Sequence, residues 1–202
     1  IINNIQESTA DLLIFGENNF PYILDNFDLK ILKESLKDNQ VLIIGATRFE
    51  NNKYYNSLIN ITSSKVTHFD KKILVPFGEF LPLRDSFTFL ESIVGPNNYS
   101  NGKEPRIINL PNNTSFIPVI CYEIVFYWKL LNNLNYKSNF IINITNDFWF
   151  GKYIGPYQHF YLTKIRAAEF NKPIIRVSNN GISAVMDNNG RVLNKTKLNN
   201  TE

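Results

Sequence analysis

The chain has one cysteine, Cys121, and the residues around it could support nucleophilic chemistry. An apolar run from Phe116 ends at this cysteine, and the polar residues Tyr122 and Glu123 follow before a helix-like segment. A thiol at a turn from strand to helix is exposed and close to backbone N–H groups and the helix dipole, which favours the thiolate. A cysteine after an apolar run is more often a buried small hydrophobic residue, so its partners elsewhere decide between the two interpretations.

Two further groups in the chain could serve such a thiol. Glu17 follows the apolar run 11–15, and Lys71 opens a segment in which Pro76 and Gly78 interrupt an apolar stretch. A buried carboxylate can accept the thiol proton, while a lysine ammonium lowers a thiol pKa and stabilises the oxyanion of a tetrahedral intermediate. The backbone N–H of Tyr122 could be a second oxyanion donor. Taken singly, a glutamate after a strand and a pair of lysines are more typical of solvated surface.

The elements that must position these groups follow from hydrophobic periodicity. Apolar or alternating runs predict strands over 11–15, 41–47, 54–61, 65–69, 106–110, 115–120, 139–145, 174–178, 183–187 and 191–195. An amphipathic pattern predicts a helix over 25–39, and helices are also expected over 122–134 and over 158–171, the last of them ended by Lys172-Pro173. Because strands and helices alternate and many strands are apolar on both faces, we expect an α/β domain whose sheets are covered by helices.

Composition bounds the class of protein. A chain of 202 residues is long enough for one domain with a sizeable core, and the net charge of +3 gives no case for nucleic acid as a partner. A single cysteine excludes an internal disulfide and a cysteine-based zinc site. No apolar run approaches the roughly 18 residues of a membrane helix. Since the chain begins without Met, we expect it to be a piece of a longer protein.

The order of Glu17, Lys71 and Cys121 resembles the Glu-Lys-Cys triad of the nitrilase (carbon–nitrogen hydrolase) superfamily. Several segments are similar to motifs of one branch, the apolipoprotein N-acyltransferase family. These are Lys71-Lys-Ile-Leu-Val-Pro-Phe-Gly-Glu79, Ile120-Cys-Tyr-Glu123, Asn143-Ile-Thr-Asn-Asp-Phe-Trp-Phe-Gly151, Gly155-Pro-Tyr-Gln-His159, Arg166-Ala-Ala-Glu169, Arg176 and Asn179-Asn-Gly-Ile-Ser183. They occur in the family's order across residues 11–195.

The resemblance implies a fold and a set of site residues. The fold would be a nitrilase-like α-β-β-α sandwich of two packed mixed sheets. It would form a single domain over 1–202, incomplete at both ends and without membrane helices. The catalytic residues would be Glu17 as general base, Lys71 as the triad lysine and Cys121 as nucleophile, supported by Glu79, Tyr122 and Glu123. Trp149 and His159 are interpreted as packing or pocket residues. No cofactor and no metal are implied.

The resemblance also implies a reaction. Cys121 would take an acyl chain from a phospholipid and pass it to the N-terminal amine of a diacylglyceryl apolipoprotein. The enzyme would lie at the bacterial inner membrane with its catalytic domain on the periplasmic face. It would be attached through segments absent from this chain, and nucleic acid is not expected as a partner. The apolar residues of 77–94, among them Phe87, Phe89 and Ile93, would form either a lipid-facing flap or a core-covering loop.

One departure and two alternatives remain. Phe15-Gly16 stands where the family has Trp-Pro before the base, so the position of Glu17 is open. A soluble amidase of the same superfamily is the first alternative, against which the Val-Pro-Phe-Gly-Glu and Cys-Tyr-Glu segments argue. A non-catalytic remnant or binding module is the second, against which the intact Glu17, Lys71, Glu79 and Cys121 argue.

Overall fold

A computed structural model describes residues 1–82, 98–132, 135–151 and 153–198, and the strands within them form two sheets. The first sheet has four strands in the order β1-β2-β3-β4. The first pair is parallel and the others are antiparallel. The strands are β1 (Leu12–Ile14), β2 (Val41–Glu50), β3 (Lys53–Thr62) and β4 (Val66–Asp70).

The second sheet has six strands in the order β10-β9-β8-β7-β6-β5. Its centre is parallel, from β6 through β7 to β8, and its outer strands are antiparallel. The strands are β5 (Ile108–Asn109), β6 (Ser115–Ile120), β7 (Phe140–Asn146), β8 (Ile174–Asn179), β9 (Ala184–Met186) and β10 (Val192–Lys195).

The two sheets pack face to face because their strands are apolar on both sides. In β2, Val41 and Ile43 point into the cluster between the sheets, while Leu42 and Ile44 point into an outer cluster. This alternation is the side-chain period of an extended strand. Among the described residues, three α-helices cover the outer faces: α1 (Ile2–Glu7) and α2 (Asn26–Glu34) on the first sheet and α3 (Ile154–Phe170) on the second. The predicted α-β-β-α sandwich is therefore confirmed.

One predicted helix is wrong. The segment predicted as a helix over 122–134 forms two short 3-10 helices in its described part, Cys121–Val125 and Tyr127–Lys129, separated by Phe126 with a non-helical backbone. The segment is rich in β-branched and aromatic residues, which lose side-chain freedom in an α-helix and favour it weakly. In contrast, α3 was predicted to begin at residue 158 but begins at Ile154. Pro156 is compatible with this start because it falls within the first turn, where proline is tolerated.

The ends of several strands meet at one rim of the sandwich. Glu17 follows β1, Lys71 follows β4, Cys121 follows β6, and Asn146 is the last residue of β7. β6 and β7 are parallel neighbours, so their carboxyl ends lie side by side. In the described ranges, no helix combines the length and apolar character needed to cross a bilayer.

Candidate active site

Cys121 sits on a sharp turn between β6 and a 3-10 helix. Its backbone has φ of 51°, a left-handed conformation that is uncommon for any residue except glycine. The turn agrees with the predicted strand-to-helix elbow, but the expectation of an exposed thiolate is wrong. The side chain is only 8% exposed, and burial together with the nearby charge of Glu17 raises the pKa of the thiol to about 12. The opposing effect of Lys71 is smaller than these two.

Glu17 is buried at the end of β1, and its carboxylate is held from both sheets. Oε2 accepts a hydrogen bond of 2.9 Å from the backbone N–H of Asn146 in the second sheet. Oε1 accepts one of 2.7 Å from Nδ2 of Asn56 on β3 and lies 3.4 Å from Nζ of Lys71. The backbone of Glu17 packs closely against Gly45 of β2. A Cβ on Gly45 would lie 2.6 Å from the Cα of Glu17, so this close approach requires glycine. These contacts fix the orientation of the carboxylate, which lines the same cavity as Cys121.

Lys71 is almost completely buried between two carboxylates. Its Nζ donates to Oε1 of Glu79 at 2.9 Å, in addition to its contact with Glu17. Burial alone would lower the lysine pKa, but the charges of Glu17, Cys121 and Glu79 outweigh it and raise the pKa above its usual value. Lys71 therefore stays protonated. Lys72 lines a separate cavity instead, so the structure brings the first lysine of the pair to the site.

Asn56 was not recognised from the sequence, although it links the two carboxylates directly. Its Nδ2 donates to Oε1 of Glu17 at 2.7 Å and to Oε1 of Glu79 at 2.8 Å. Glu79 also accepts a hydrogen bond of 2.8 Å from the backbone N–H of Val75. The sequence of β3 offers no signal for it, since Asn56 is one of several polar residues in that strand and its partners lie far away in sequence.

Glu123 connects the lysine segment to the turn that carries the cysteine. Its carboxylate accepts hydrogen bonds from the backbone N–H groups of Lys72, Ile73 and Ile120, at 2.9, 3.1 and 3.0 Å. Arg106 forms a buried two-pronged pair with it, with distances of 2.9 and 2.7 Å. Burial would raise the pKa of Glu123, but the charge and hydrogen bonds of Arg106 hold it below its usual range. Arg106 was also not recognised from the sequence.

The three groups face a common cavity of about 590 Å³. Glu17, Lys71 and Cys121 lie in its wall, and much of the remaining wall is apolar or aromatic: Val75, Pro76, Phe77, Tyr122, Trp149 and Phe150. The rings of Phe77 and Trp149 are themselves largely exposed. A larger cavity of about 780 Å³ shares Tyr99 as a wall but contains none of the three groups. The predicted flap residues Phe87, Phe89 and Ile93 lie outside the described residues.

A buried polar network lies behind the cysteine. Asp147 accepts from Nη2 of Arg176 at 2.6 Å and lies 2.8 Å from Nδ1 of His159. Burial lowers the pKa of His159 despite its contact with Asp147, so the ring is neutral near pH 7. Its Nε2 has no hydrogen-bond partner among the described residues. His159 is thus buried within a network that the sequence did not reveal, and its interpretation as a packing or pocket residue stays a prediction.

No metal site was expected, but one cluster of potential metal ligands lies outside the cavity in the part of the chain that the structure describes. Ligand atoms of His68, Asp70 and Glu104 lie within 4.8 Å of one another. The carboxylate of Asp70 is already paired with Arg48, at 3.0 Å from Oδ2 to Nη2. Because this cation already neutralises the buried ligand of the cluster, we assign no metal to it.

Comparisons with known proteins agree with this architecture. The chain is 40% identical to an apolipoprotein N-acyltransferase of Allorhizobium ampelinum, covering 94% of this chain and 38% of that protein. It is 39% identical to the protein of that name from Rhizobium leguminosarum bv. trifolii, covering 91% of this chain and 36% of the relative. The chain therefore spans somewhat more than a third of the length of these curated relatives.

Solved structures support the fold. A CN-hydrolase superfamily protein from Xanthomonas campestris superposes with a TM-score of 0.66 at 16% identity, covering 96% of this chain and 76% of that chain. A glutamine-dependent NAD+ synthetase from Acinetobacter baumannii gives 0.70 at 17% identity, covering 96% of this chain and 38% of that one. The family model for carbon-nitrogen hydrolases matches residues 1–202. On this evidence, the chain belongs to the carbon-nitrogen hydrolase family.

Proposed function

We propose that this chain carries the catalytic site of an N-acyltransferase that acylates the N-terminus of diacylglyceryl apolipoproteins from a phospholipid. The observation that carries the proposal is the meeting of Glu17, Lys71 and Cys121 at one cavity whose other walls are largely apolar. The similarity to two apolipoprotein N-acyltransferases supports this substrate class over that of a soluble amidase. The proposal implies a location at the periplasmic face of the bacterial inner membrane.

In the first half-reaction, the sulfur of Cys121 attacks the ester carbonyl of a phospholipid acyl chain, and its proton passes to Glu17. At pH 7 a free thiolate with a pKa of about 12 would cost about 7 kcal/mol to form. Attack and proton transfer to the carboxylate are therefore coupled. The ammonium of Lys71 stabilises the oxyanion, with the backbone N–H of Tyr122 as a second donor.

The tetrahedral intermediate then collapses. The ester C–O bond breaks, the leaving alkoxide takes the proton from Glu17, and lysophospholipid departs. Cys121 is left as a thioester, which splits one difficult transfer into two easier ones. No cofactor or metal is required by these steps.

In the second half-reaction, the neutral α-amine of the diacylglyceryl-cysteine attacks the thioester carbonyl. Glu17 accepts a proton from the amine, the C–S bond breaks, and the thiolate of Cys121 takes the proton. The product is an N-acylated lipoprotein, and the thiol is regenerated. Glu79 and Asn56 hold Glu17 and Lys71 in place throughout, since both contact the reacting carboxylate or ammonium.

The test is complete transfer between defined substrates. The chain is incubated with phospholipid vesicles and a diacylglyceryl-cysteine peptide, and the products are identified by mass spectrometry. The proposal predicts lysophospholipid and a peptide that carries one additional, hydroxylamine-stable acyl group. A peptide with a blocked α-amine is the control and must stay unmodified. Release of free fatty acid with no acylated peptide would mean that water and not the amine accepts the acyl group, and would contradict the acyltransferase proposal.

A further inference from the structure

Asn179, the last residue of β8, contacts the turn that carries Glu17. Its Nδ2 donates to the backbone carbonyl of Glu17 at 2.7 Å, and its Oδ1 accepts from Nδ2 of Asn19 at 3.2 Å. These bonds join residues about 160 positions apart in the chain, from the loop after β1 of the first sheet to the end of β8 in the second. Loop backbone at a functional site is more mobile than the strands that position it. A side chain on a strand end therefore gives the Glu17 turn a rigid support.

Gly16 makes the contact possible. A Cβ at this position would lie 2.4 Å from Oδ1, 2.8 Å from Cγ and 3.0 Å from Nδ2 of Asn179. Real Cβ atoms do not approach other heavy atoms so closely, so any side chain at position 16 would displace the asparagine. The amide of Asn179 occupies the space that a side chain on residue 16 would need.

The position of Asn179 in the sheet strengthens the argument. Asn179 and Asn146 are register partners at the ends of the parallel strands β8 and β7. The N–H of Asn146 donates to the carboxylate of Glu17 at 2.9 Å, while Asn179 holds the carbonyl of the same residue. One pair of neighbouring residues thus fixes both the main chain and the side chain of Glu17.

We propose that Asn179 is a positioning residue that orients Glu17 toward Cys121, and that Gly16 is its matched partner. This inference rests on the proposed role of Glu17 as general base, but not on the identity of the lipid or lipoprotein. In this chain a residue without a side chain is needed before Glu17 because the amide of Asn179 packs against it.

The test compares two reactions of the single thiol. Acylation of Cys121 by p-nitrophenyl acetate needs the general base, whereas alkylation by iodoacetamide reports the access and reactivity of the thiol alone. For Asn179→Ala we expect acylation at saturating ester to fall by about tenfold or more, with KM little changed, because the base is misplaced. Alkylation should not fall. The matched control is Asn188→Ala, whose side chain also donates a 2.7 Å bond, to Asn171 outside the cavity.

Gly16→Ala tests the same contact by adding a Cβ that would clash with the side chain of Asn179. Alone, it should lower acylation by a factor similar to that of Asn179→Ala and lower the melting temperature by about 3 °C or more. In the Asn179→Ala background the clash is gone, so the double variant should acylate no more slowly than either single variant. Two independent losses that multiply in the double variant would overturn the pairing.

The outcomes separate this inference from the proposed function. If Glu17→Gln abolishes acylation and Asn179→Ala keeps the wild-type rate, the inference is wrong and the role of Glu17 stands. If both variants lose acylation as expected but phospholipid never acylates Cys121, the inference stands and the proposed substrate is wrong. If Glu17→Gln acylates at the wild-type rate, Glu17 is not the base and both ideas fail.

Discussion

The carboxylate of Glu17 accepts a 2.9 Å hydrogen bond from the backbone N–H of Asn146, which joins the end of β1 in one sheet to the end of β7 in the other. The two residues are 129 positions apart. Both sheets are held by packed apolar layers and are therefore rigid. The bond ties the position of the carboxylate to this rigid packing, and so fixes it relative to the turn that carries Cys121. The site therefore depends on how the sheets pack.

Replacing Glu17 should change two reactions of Cys121 in opposite directions. Burial and Glu17 both raise the thiol pKa, so Glu17→Gln should lower that pKa and speed alkylation by iodoacetamide at pH 8. Thiolate content rises about tenfold for each unit by which the pKa falls. The same variant should lose acylation by an activated ester, since no base remains. Slower alkylation in this variant, measured by mass spectrometry against time, would contradict the account.

Lys71 and Lys72 form a matched pair for substitution. Lys71→Met removes the ammonium between Glu17 and Glu79, so acylation should be lost and the free energy of unfolding should fall by about 3–5 kcal/mol. Lys72→Met should retain wild-type acylation, because only its backbone N–H takes part in the hydrogen-bond network around the site, through Glu123. Denaturant unfolding and the acylation rate check the two effects separately. Equal losses in both variants would refute the assignment.

The Arg106–Glu123 pair should make the free energy of unfolding depend on pH in the acidic range. The folded pKa of Glu123 lies below the ordinary value of 4.5, so its stabilising contribution is complete above that pH and disappears as pH falls through the folded pKa. Glu123→Gln leaves Arg106 buried and unpaired, and should cost about 3–5 kcal/mol at pH 7. The difference from wild type should shrink below about pH 4.5.

A control for this pair is available on the surface. Glu34 forms an exposed pair with Lys30 at 3.8 Å, so Glu34→Gln should change the free energy of unfolding by less than about 0.5 kcal/mol at any pH. Urea unfolding from pH 3 to pH 8 measures both variants. A Glu123→Gln variant with the same modest effect as Glu34→Gln would show that the buried pair does not hold the two segments together.

Trp149, an exposed aromatic residue in the wall of the cavity, should contribute to the binding of phospholipid but not to the acylation step. Trp149 is 71% exposed in the wall of the cavity, while Phe27 is 69% exposed on α2, on the outer layer of the other sheet. Trp149→Ala should raise the KM for phospholipid vesicles by about tenfold, as expected for losing an apolar contact of this size, and leave acylation by a small ester unchanged. Phe27→Ala should alter neither. A loss confined to the turnover number would contradict a role in lipid binding.

The sequence predicted the sandwich well because its signals are local. Residues such as Ile43 and Ile44 are apolar in succession, and such runs are typical of strands that are buried on both faces. The segment after Cys121 was predicted incorrectly as a helix, although its β-branched and aromatic residues favour an α-helix only weakly. A local sequence pattern predicts an element poorly where the preference of its residues for that element is weak.

The electrostatics of the site were harder to predict. The pKa of Cys121 depends on how deeply the thiol is buried and how close Glu17 lies, and neither is visible in the spacing of residues along the chain. The roles of Asn56 and Arg106 could not be predicted from the sequence for the same reason, because each hydrogen-bonds to a residue in another element. The motif segments located Glu79 and Glu123, but only the structure shows what each carboxylate holds.

The most direct test of the account is the intact mass of the chain after incubation with phospholipid vesicles. The account predicts an added mass of one fatty-acyl group that hydroxylamine removes, since thioesters are cleaved by it. Cys121→Ala should gain nothing under the same conditions. A chain that shows a cooperative melting transition but never acquires the acyl group would contradict the central claim that Cys121 accepts an acyl chain from a phospholipid.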